Sequence, residues 1–261
     1  MLVNYHLHDI NSYDAYGTIE QYIQEAIKND VKFLGISNHV ETVKNNSHVV
    51  DIEEAIIRFK KGKEEFLEIK EKYPQVNISY GCELSVNPES RKDIERLIKE
   101  VGFDFCIGSV HFVEGYDVAG ENVIEICKKY PQEVLMDKYF NALLDGLKWG
   151  QFSHIGHFDV IKRFASNFYG EKYDMYLHEK ILKEIAKIII DKNFIVEINC
   201  AGIFCPCREP SPHGELVKFL IDNGVKKFTL SSDAHNPSEF MQGLLEGDII
   251  LKKYNIKPFH Y

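Results

Sequence analysis

The feature that most constrains the fold of this chain is a regular alternation of short apolar segments with helical patterns. Seven segments have the length and composition of strands, at residues 3–8, 33–37, 77–82, 103–108, 152–157, 194–198 and 227–230. Between them, apolar residues recur at helical spacing, as at Ile19, Tyr22, Ile23 and Ala26. Strands that alternate with helices predict parallel β–α units. Seven such units predict an α/β fold, a distorted TIM-like (β/α)7 barrel with one unit fewer than the usual eight.

Composition narrows the class of protein. No low-complexity linker or break in composition divides the 261 residues, so we expect one domain over 1–261. The formal net charge of −9 argues against a nucleic-acid partner, because binding the phosphate backbone needs a basic surface. The sequence has no apolar run of about 20 residues and no basic start followed by an apolar core, which predicts no membrane span and no signal peptide. We therefore expect a cytoplasmic protein.

The six cysteines agree with a reducing compartment. They are scattered through a chain of moderate length, which favours free thiols over a disulfide framework. Cys205 and Cys207 are separated by one residue, which is the wrong spacing for a zinc ribbon or a thioredoxin-like pair, and no second pair accompanies them. The sequence assigns these two thiols no role.

Residues of the type that bind metals recur where the predicted strands end. In a parallel barrel the catalytic groups lie at the carboxyl ends of the strands. His6 and His8 would point to one face of the first strand, because side chains alternate with a period of two. The residues at or just after the seven strand ends are His6 and His8, His39, Glu83, His111, His157 with His154, Asn199, and Asp233 with His235. This recurrence predicts a site for several metal ions, and imidazole with carboxylate suits Zn, Mn or Fe without selecting among them.

The spacing of these residues resembles that of the polymerase-and-histidinol-phosphatase (PHP) superfamily over nearly the whole chain. The matching pieces are His6-Leu7-His8 with Asp14, Asn38-His39, Gly81-Cys82-Glu83, Ser109-Val110-His111, Ile155-Gly156-His157 and Ser232-Asp233-Ala234-His235. Within the superfamily, the chain looks most like the monofunctional histidinol-phosphate phosphatases. That closer similarity lies in residues 108–112, 156–164 and 197–212.

The resemblance implies a cluster of three divalent metal ions. One ion would be held by His6, His8, Glu83 and Asp233. A second would share Glu83 as a bridge and add His111 and His157, and a third would take Asp14, His39 and His235. His154 competes with His157, since the two lie three residues apart and face opposite sides of a strand. The Gly-His pattern followed by Phe158 favours His157, and His154 would then be a packed or supporting histidine. His178 has no motif around it, and we expect it on a helix surface.

The activity that the resemblance implies is hydrolysis of L-histidinol phosphate to L-histidinol and phosphate, by attack of a metal-activated hydroxide on phosphorus. Glu83 would bridge two metals, and Asp14 and His235 are the candidate acids for the leaving alkoxide. The substrate-binding residues that we expect are Arg163, Lys162 and Arg208 for the phosphate, and Asn199 for the amine or imidazole. Acidic residues that would also suit this cationic part are Glu114, Asp117 and Glu209.

Two other functions fit the same pattern. The first is another PHP-type phosphoesterase, acting on a sugar phosphate, a nucleotide or a phosphotyrosine protein. The second is a non-catalytic metal-binding module, as occurs where such a domain accompanies a polymerase. The sequence contains every expected ligand and no attached polymerase, and both observations favour the enzyme.

Overall fold

A computed structural model describes residues 1–41, 51–170 and 173–261. The strands in these ranges are β1 (Val3–Leu7), β2 (Phe33–Ile36), β3 (His39–Val40), β4 (Asn77–Ser85), β5 (Phe105–Ser109), β6 (Phe112–Val113), β7 (Tyr116–Asp117), β8 (His154–Ile155), β9 (Ile195–Asn199) and β10 (Phe228–Ser231). The helices are α1 (Ile19–Lys28), α2 (Ile52–Lys72), α3 (Arg91–Val101), α4 (Ile124–Cys127), α5 (Gln132–Trp149), α6 (Lys162–Tyr169), α7 (Glu179–Asp191), α8 (Gly214–Asp222) and α9 (Leu244–Lys253).

Seven of the strands form one parallel barrel, as the sequence predicts. Their order is β1-β2-β4-β5-β8-β9-β10, and every neighbouring pair is parallel. The barrel closes between its first and last strands through a bridge from Leu7 to Ala234, where the His8 amide donates to the Ala234 carbonyl at 3.0 Å. The short strand β3 follows β2 in the chain and pairs with β4 in parallel, which sets His39 opposite Glu83. All seven carboxyl ends therefore open on one face.

The helices around the barrel follow local signals in the sequence. Thr18 and Gln21 form a capping box that starts α1, and Gly102 ends α3 in the left-handed region with φ 66°. Helix α6 was not predicted, because its eight residues follow directly on the Gly-His segment and carry only a short apolar pattern. Within the described ranges, no helix combines the length and apolar character needed to cross a membrane.

Three further details differ from the predictions. Strand β8 has only two residues, His154 and Ile155, so that His157 lies beyond its end. A small hairpin, β6–β7, turns at Gly115 with φ 79° and was too short to be predicted. His178, which we expected on a helix surface, is buried, and its Nδ1 lies 2.8 Å from an oxygen of Asp137. His48, which carries no motif, is outside the described residues.

Aromatic rings fill the end of the barrel opposite the carboxyl ends of the strands. Phe105 packs edge-on against Tyr5 and His154, and Tyr261 covers the same rings. Gly35 leaves the room for this packing, because a Cβ built there would lie 2.5 Å from the Phe105 ring. The interior is thus closed at one end and lined by ionisable groups at the other.

We expect Gly35→Ala to lower the free energy of unfolding by about 1–3 kcal/mol, because the added methyl overpacks the Phe105 ring. Urea denaturation would measure the change. Gly214→Ala is the matched control, since a Cβ at this helical position meets no atom within 4 Å. Adding Phe105→Leu to Gly35→Ala should give a loss smaller than the sum of the two single losses. An additive result would show that the ring does not limit this position.

Candidate metal centre

The strand ends bring the nine predicted ligands to one place. His6 comes from β1, Glu83 from β4 and His39 from β3, and His8 directly follows β1. Asp14 lies in the loop between β1 and α1, and the other members follow a strand within four residues. The side chains of the group are buried except for those of Asp14 and His235. Asp233 has φ 55°, in the left-handed region that Asp tolerates better than most residues. Such strained positions are concentrated at functional sites.

The first predicted ligand group is compact. The Nε2 atom of His6 lies 3.3 Å from Glu83 Oε2 and 3.5 Å from Asp233 Oδ1. His8 Nε2 lies 3.8 Å and 3.4 Å from the same two oxygens. Two imidazoles and two carboxylates therefore converge on a shared centre, with one potential ligand atom from each side chain.

The second group shares Glu83 with the first. His111 Nε2 and His157 Nε2 lie 3.0 Å and 2.9 Å from Glu83 Oε1, and 3.3 Å from each other. The two oxygens of Glu83 thus face different histidine sets, which is the arrangement that a bridging carboxylate needs. Ser109 donates a hydrogen bond to the same Oε1 at 2.6 Å and helps to hold its direction.

The third group lies at the rim. His235 Nε2 and His39 Nε2 are 3.4 Å and 3.5 Å from Asp14 Oδ2, and 3.3 Å from each other. His39 also places its Nδ1 2.7 Å from Glu83 Oε2, so that its ring joins this group to the bridging carboxylate. The side chains of Asp14 and His235 are 36% and 30% exposed, which makes this group the one most open to solvent.

Unsatisfied polar atoms show that the centre fits a metal. Among the buried side-chain atoms of the described residues that make no well-formed hydrogen bond, four lie at this centre, namely His6 Nε2, His8 Nε2, His39 Nδ1 and Glu83 Oε2. The contact between His39 Nδ1 and Glu83 Oε2 is short but lacks the geometry of a hydrogen bond. Native proteins rarely leave buried polar atoms unpaired, because the desolvation is costly. All four face one another, and three sets of potential ligand atoms in this region each lie within 4.8 Å of one another. Divalent cations suit such a donor set.

The electrostatics of the cluster favour positive charge. Burial would raise the pKa of Glu83, but His111, His6 and His39 outweigh burial and hold it well below its usual range. Burial opposes protonation of His39, yet Glu83 and Asp14 raise its pKa to about 9. Burial and the neighbouring His39 and His235 instead hold the pKa of His8 well below its usual range. A bound cation would supply the positive charge that the carboxylates attract.

Two further carboxylates support the histidines from outside and were not predicted. Glu197 accepts from His6 at 2.6 Å, and Glu41 lies 2.6 Å from His111 Nδ1. Both glutamates are buried. Carboxylates commonly orient metal-binding histidines in this way. The signal for Glu197 was present in the sequence, since it lies two residues before Asn199 on the same strand face.

The predicted substrate-binding residues separate into distinct positions. Arg163 lies beside the cluster, where its Nη2 donates to Asp233 Oδ2 at 2.9 Å and to Asn199 Oδ1 at 2.7 Å. Asn199 is buried and also donates to Asp233, so it supports these two side chains. Lys162 points away from the cluster and donates to Asp159 and to the Pro210 carbonyl. Arg208 is exposed in the loop after β9, with φ 53°.

The nine predicted ligands together are called the metal-type cluster below. A cavity of about 700 Å³ opens over this cluster. Arg163 lines it, whereas Lys162, Arg208 and Asn199 do not. Tyr13, whose ring stacks on His39, also lines the cavity. The β6–β7 hairpin and the segment after it form another part of the lining, which includes Phe112, Tyr116, Asp117, Asn122 and Glu125. A phosphate and a small organic group therefore have room side by side.

The cysteines take no part in this centre. All six thiols are free, as expected. The Cys205 thiol donates to the Ala201 carbonyl and that of Cys207 to the Gly202 carbonyl, so both stabilise the loop after β9.

His154 and His157 occupy opposite environments. His157 reaches the cluster through Nε2, whereas His154 lies among Tyr5, Phe105 and Tyr261 in the barrel interior. Burial lowers the pKa of His154 to about 3, so its ring is neutral. This geometry supports the preference for His157 as the ligand and for His154 as a packed histidine.

Comparison with known proteins gives one family match and several full-length relatives. Residues 4–201 match the model of the PHP domain. Proteins named "probable histidinol-phosphatase" from Clostridium acetobutylicum and Thermotoga maritima are 23% and 25% identical; the chain is covered to 100% and 98%, and the relatives to 97% and 94%. A histidinol phosphate phosphatase from Lactococcus lactis, solved with zinc, L-histidinol and phosphate, has a TM-score of 0.82 at 20% identity over 99% of this chain and 95% of that one.

We expect His157→Ala to lower the number of bound metal ions, because it removes a side chain that faces Glu83 Oε1. Metal content after gel filtration would measure the loss. The control is His154→Ala, which should keep the metal content of the wild type and lower the free energy of unfolding by about 2–5 kcal/mol through a cavity. The reverse ranking of metal loss would make His154 the ligand.

The buried His154 also predicts a pH dependence of stability. Its pKa is about 3 in the folded protein against 6.5 for an ordinary histidine, so below about pH 6.5 the unfolded chain binds a proton that the folded one excludes. Stability is therefore lost as pH falls. The variant His154→Leu lacks this titrating group and should not lose stability in this way. We therefore expect the wild type to lose unfolding free energy relative to the variant, by up to about 1.4 kcal/mol per pH unit below pH 6.5. A constant difference from pH 7 to pH 5 would contradict the assignment.

Proposed function

Because the chain belongs to the PHP domain family, we propose that it is a metal-dependent phosphatase that hydrolyses L-histidinol phosphate to L-histidinol and phosphate. The observation that carries this proposal is the convergence of nine potential ligands at the floor of a cavity that Arg163 also lines. The names of the full-length relatives support the choice of substrate, as does the L-histidinol and phosphate found with the Lactococcus lactis protein.

The proposed cofactors are three divalent ions, of zinc, manganese or iron. The residues that would hold them are His6, His8, Glu83 and Asp233 for the first, Glu83, His111 and His157 for the second, and Asp14, His39 and His235 for the third. Such ions, when bound, lower the pKa of water and polarise phosphoryl oxygens. The four buried atoms without a well-formed hydrogen bond lie around Glu83 Oε2 and support a cation at the first of these positions.

Arg163 is the residue of this chain best placed to hold the phosphate. Both of its hydrogen bonds to Asp233 and Asn199 use Nη2, and its side chain lines the cavity. The guanidinium has further N–H groups, so it can donate to phosphate while Asp233 and Asn199 fix its position. Lys162 and Arg208 do not line the cavity, which makes Arg163 the stronger of the three predicted candidates.

The part of the cavity lining formed by the β6–β7 hairpin and the segment after it suits a cationic leaving group. Asp117 and Glu125 line it, together with the rings of Phe112 and Tyr116. Carboxylates attract an amine or a protonated imidazole, and the aromatic faces contact a flat ring or a cation. Asp117 belongs to the acidic residues that we expected here, whereas Glu114 binds Lys138 and Tyr130 on the surface and Glu209 lines a different cavity.

The leaving alkoxide needs a proton, and two side chains of the cluster reach toward the opening. Asp14 and His235 are its most exposed members. Their mutual pairing raises the pKa of His235 against the effect of burial, while it lowers that of Asp14. His235 is therefore the better proton donor of the two, wherever its Nε2 is not engaged by a metal.

We also propose that residues 1–261 act as one domain. The supporting observation is that the first and last barrel strands are neighbours, so that both halves of the chain contribute ligands. The Asn4 side chain, which donates to the Ser232 hydroxyl at 2.8 Å, strengthens the same junction.

The test is phosphate release from L-histidinol phosphate, compared with a panel of a sugar phosphate, a nucleotide and a phosphotyrosine peptide. We expect a preference for L-histidinol phosphate, loss of turnover on chelation, and its return on adding Zn²⁺ or Mn²⁺. His8→Ala should abolish turnover and lower the metal content, because its Nε2 faces Glu83 and Asp233. His260→Ala is the control, since it removes a histidine whose ring stacks on Phe33 at the start of β2, and it should keep the turnover of the wild type. Equal rates across the panel would leave the metal centre in place and remove the proposed substrate.

A further inference from the structure

Glu197 lies beneath the metal-type cluster and contacts two of its ligands. Its Oε1 lies 2.6 Å from His6 Nδ1, and its Oε2 accepts from the backbone N–H of His157 at 2.5 Å. Ser231 donates to Oε1 as well. The carboxylate is buried, so these three donors take the place of water around it.

The contact with His6 decides which ring nitrogen can bind a metal. A neutral imidazole carries one N–H and one lone pair. A carboxylate only accepts, so Nδ1 of His6 must carry the proton, and the lone pair is left on Nε2, the atom that faces Glu83 and Asp233. Without this acceptor, the tautomer with the proton on Nε2 would present an N–H to the centre and could not bind a cation.

The contact with His157 acts on a different part of the centre. His157 follows the two-residue strand β8, so few ladder hydrogen bonds hold its backbone. The Glu197 Oε2 atom is the acceptor for its amide, and the side chain then reaches Glu83 Oε1. In the proposed assignment, His6 and His157 belong to different metal ions.

We propose that Glu197 is a positioning residue that prepares two metal positions at once, through the tautomer of His6 and the backbone of His157. The inference rests on the proposed metal centre and adds to it a dependence between two ions. Glu41 offers the comparison, because it contacts one ligand only. Its Oε1 lies 2.6 Å from His111 Nδ1, and its Oε2 accepts from Ser85 at 2.7 Å.

The decisive variant is Glu197→Gln, which keeps size and shape. An amide has one oxygen and one NH₂ group, so it cannot accept from both His6 and His157. If the oxygen faces His6, the NH₂ group meets the His157 N–H; if the amide is flipped, the NH₂ group forces the wrong His6 tautomer. Either arrangement disturbs at least one ligand, and the second is expected to follow through the shared Glu83.

The experiment titrates chelated protein with Zn²⁺ against a coloured chelator and counts the bound ions by elemental analysis. We expect Glu197→Gln to raise the dissociation constants of two ions by about 10–100-fold, and Glu41→Gln to raise that of one. Asp248→Asn is the matched control, because it removes a buried carboxylate that pairs with Lys252 within α9 and contacts none of the predicted ligands. It should bind Zn²⁺ as the wild type does.

A second measurement separates positioning from general destabilisation. Bound metal raises the Tm by an amount that grows with the logarithm of its affinity. A positioning role predicts that Glu197→Gln narrows the gap in Tm between the Zn²⁺-loaded and chelated protein. An equal fall of both Tm values, or unchanged Zn²⁺ affinity, would overturn the proposal, as would a wild type that binds no Zn²⁺. A wild type that binds Zn²⁺ but does not hydrolyse L-histidinol phosphate would overturn only the proposed substrate, since the binding comparison needs no turnover.

Discussion

A single buried carboxylate organises the functional end of this barrel. Glu83 is fully buried at the end of β4, and five histidines approach its two oxygens within 4 Å. A carboxylate in such a place is unstable unless positive charge surrounds it. The histidines can supply that charge as protons, or they can hold cations that supply it. The ends of five strands are arranged around this requirement, while the opposite end of the barrel is filled with aromatic rings that require no partner.

The sequence predicts most of this arrangement because two regular patterns coincide. Apolar segments mark the strands, and a polar residue of metal-binding type follows each of them. In a parallel barrel all these positions share one face, so residues spread over 230 positions of the sequence lie close together in space. Because each strand is parallel to its neighbours, errors of one or two residues in its limits do not move its end to the other face. The prediction of His157 as the ligand agrees with the geometry even though β8 ends earlier than expected.

What the sequence could not show depends on distances between side chains. Glu41 is an ordinary glutamate by pattern. The strand period places Glu197 on the same face as Asn199, but only the fold reveals that each glutamate meets the far nitrogen of a histidine. Lys162 and Arg163 are adjacent and were both candidates for phosphate, with arginine the better suited by its planar fork. The first turn of α6 sends them in different directions, so that Lys162 meets Asp159 and Arg163 meets Asp233. Helix geometry separates neighbours by about 100°, and without α6 in the prediction this separation was out of reach.

Charge balance connects the cluster to its proposed substrate. Five carboxylates meet here, those of Asp14, Glu41, Glu83, Glu197 and Asp233, and Arg163 is the cation paired with them. With neutral imidazoles, five negative charges and one positive charge leave the cluster at −4. Three divalent ions would bring it to +2, which a phosphate monoester of charge about −2 neutralises. One ion would leave the site at −2, which repels the substrate, and two ions would leave it neutral, without net attraction for a dianion. The number of acidic side chains therefore supports the proposed three ions by an argument that does not depend on the resemblance.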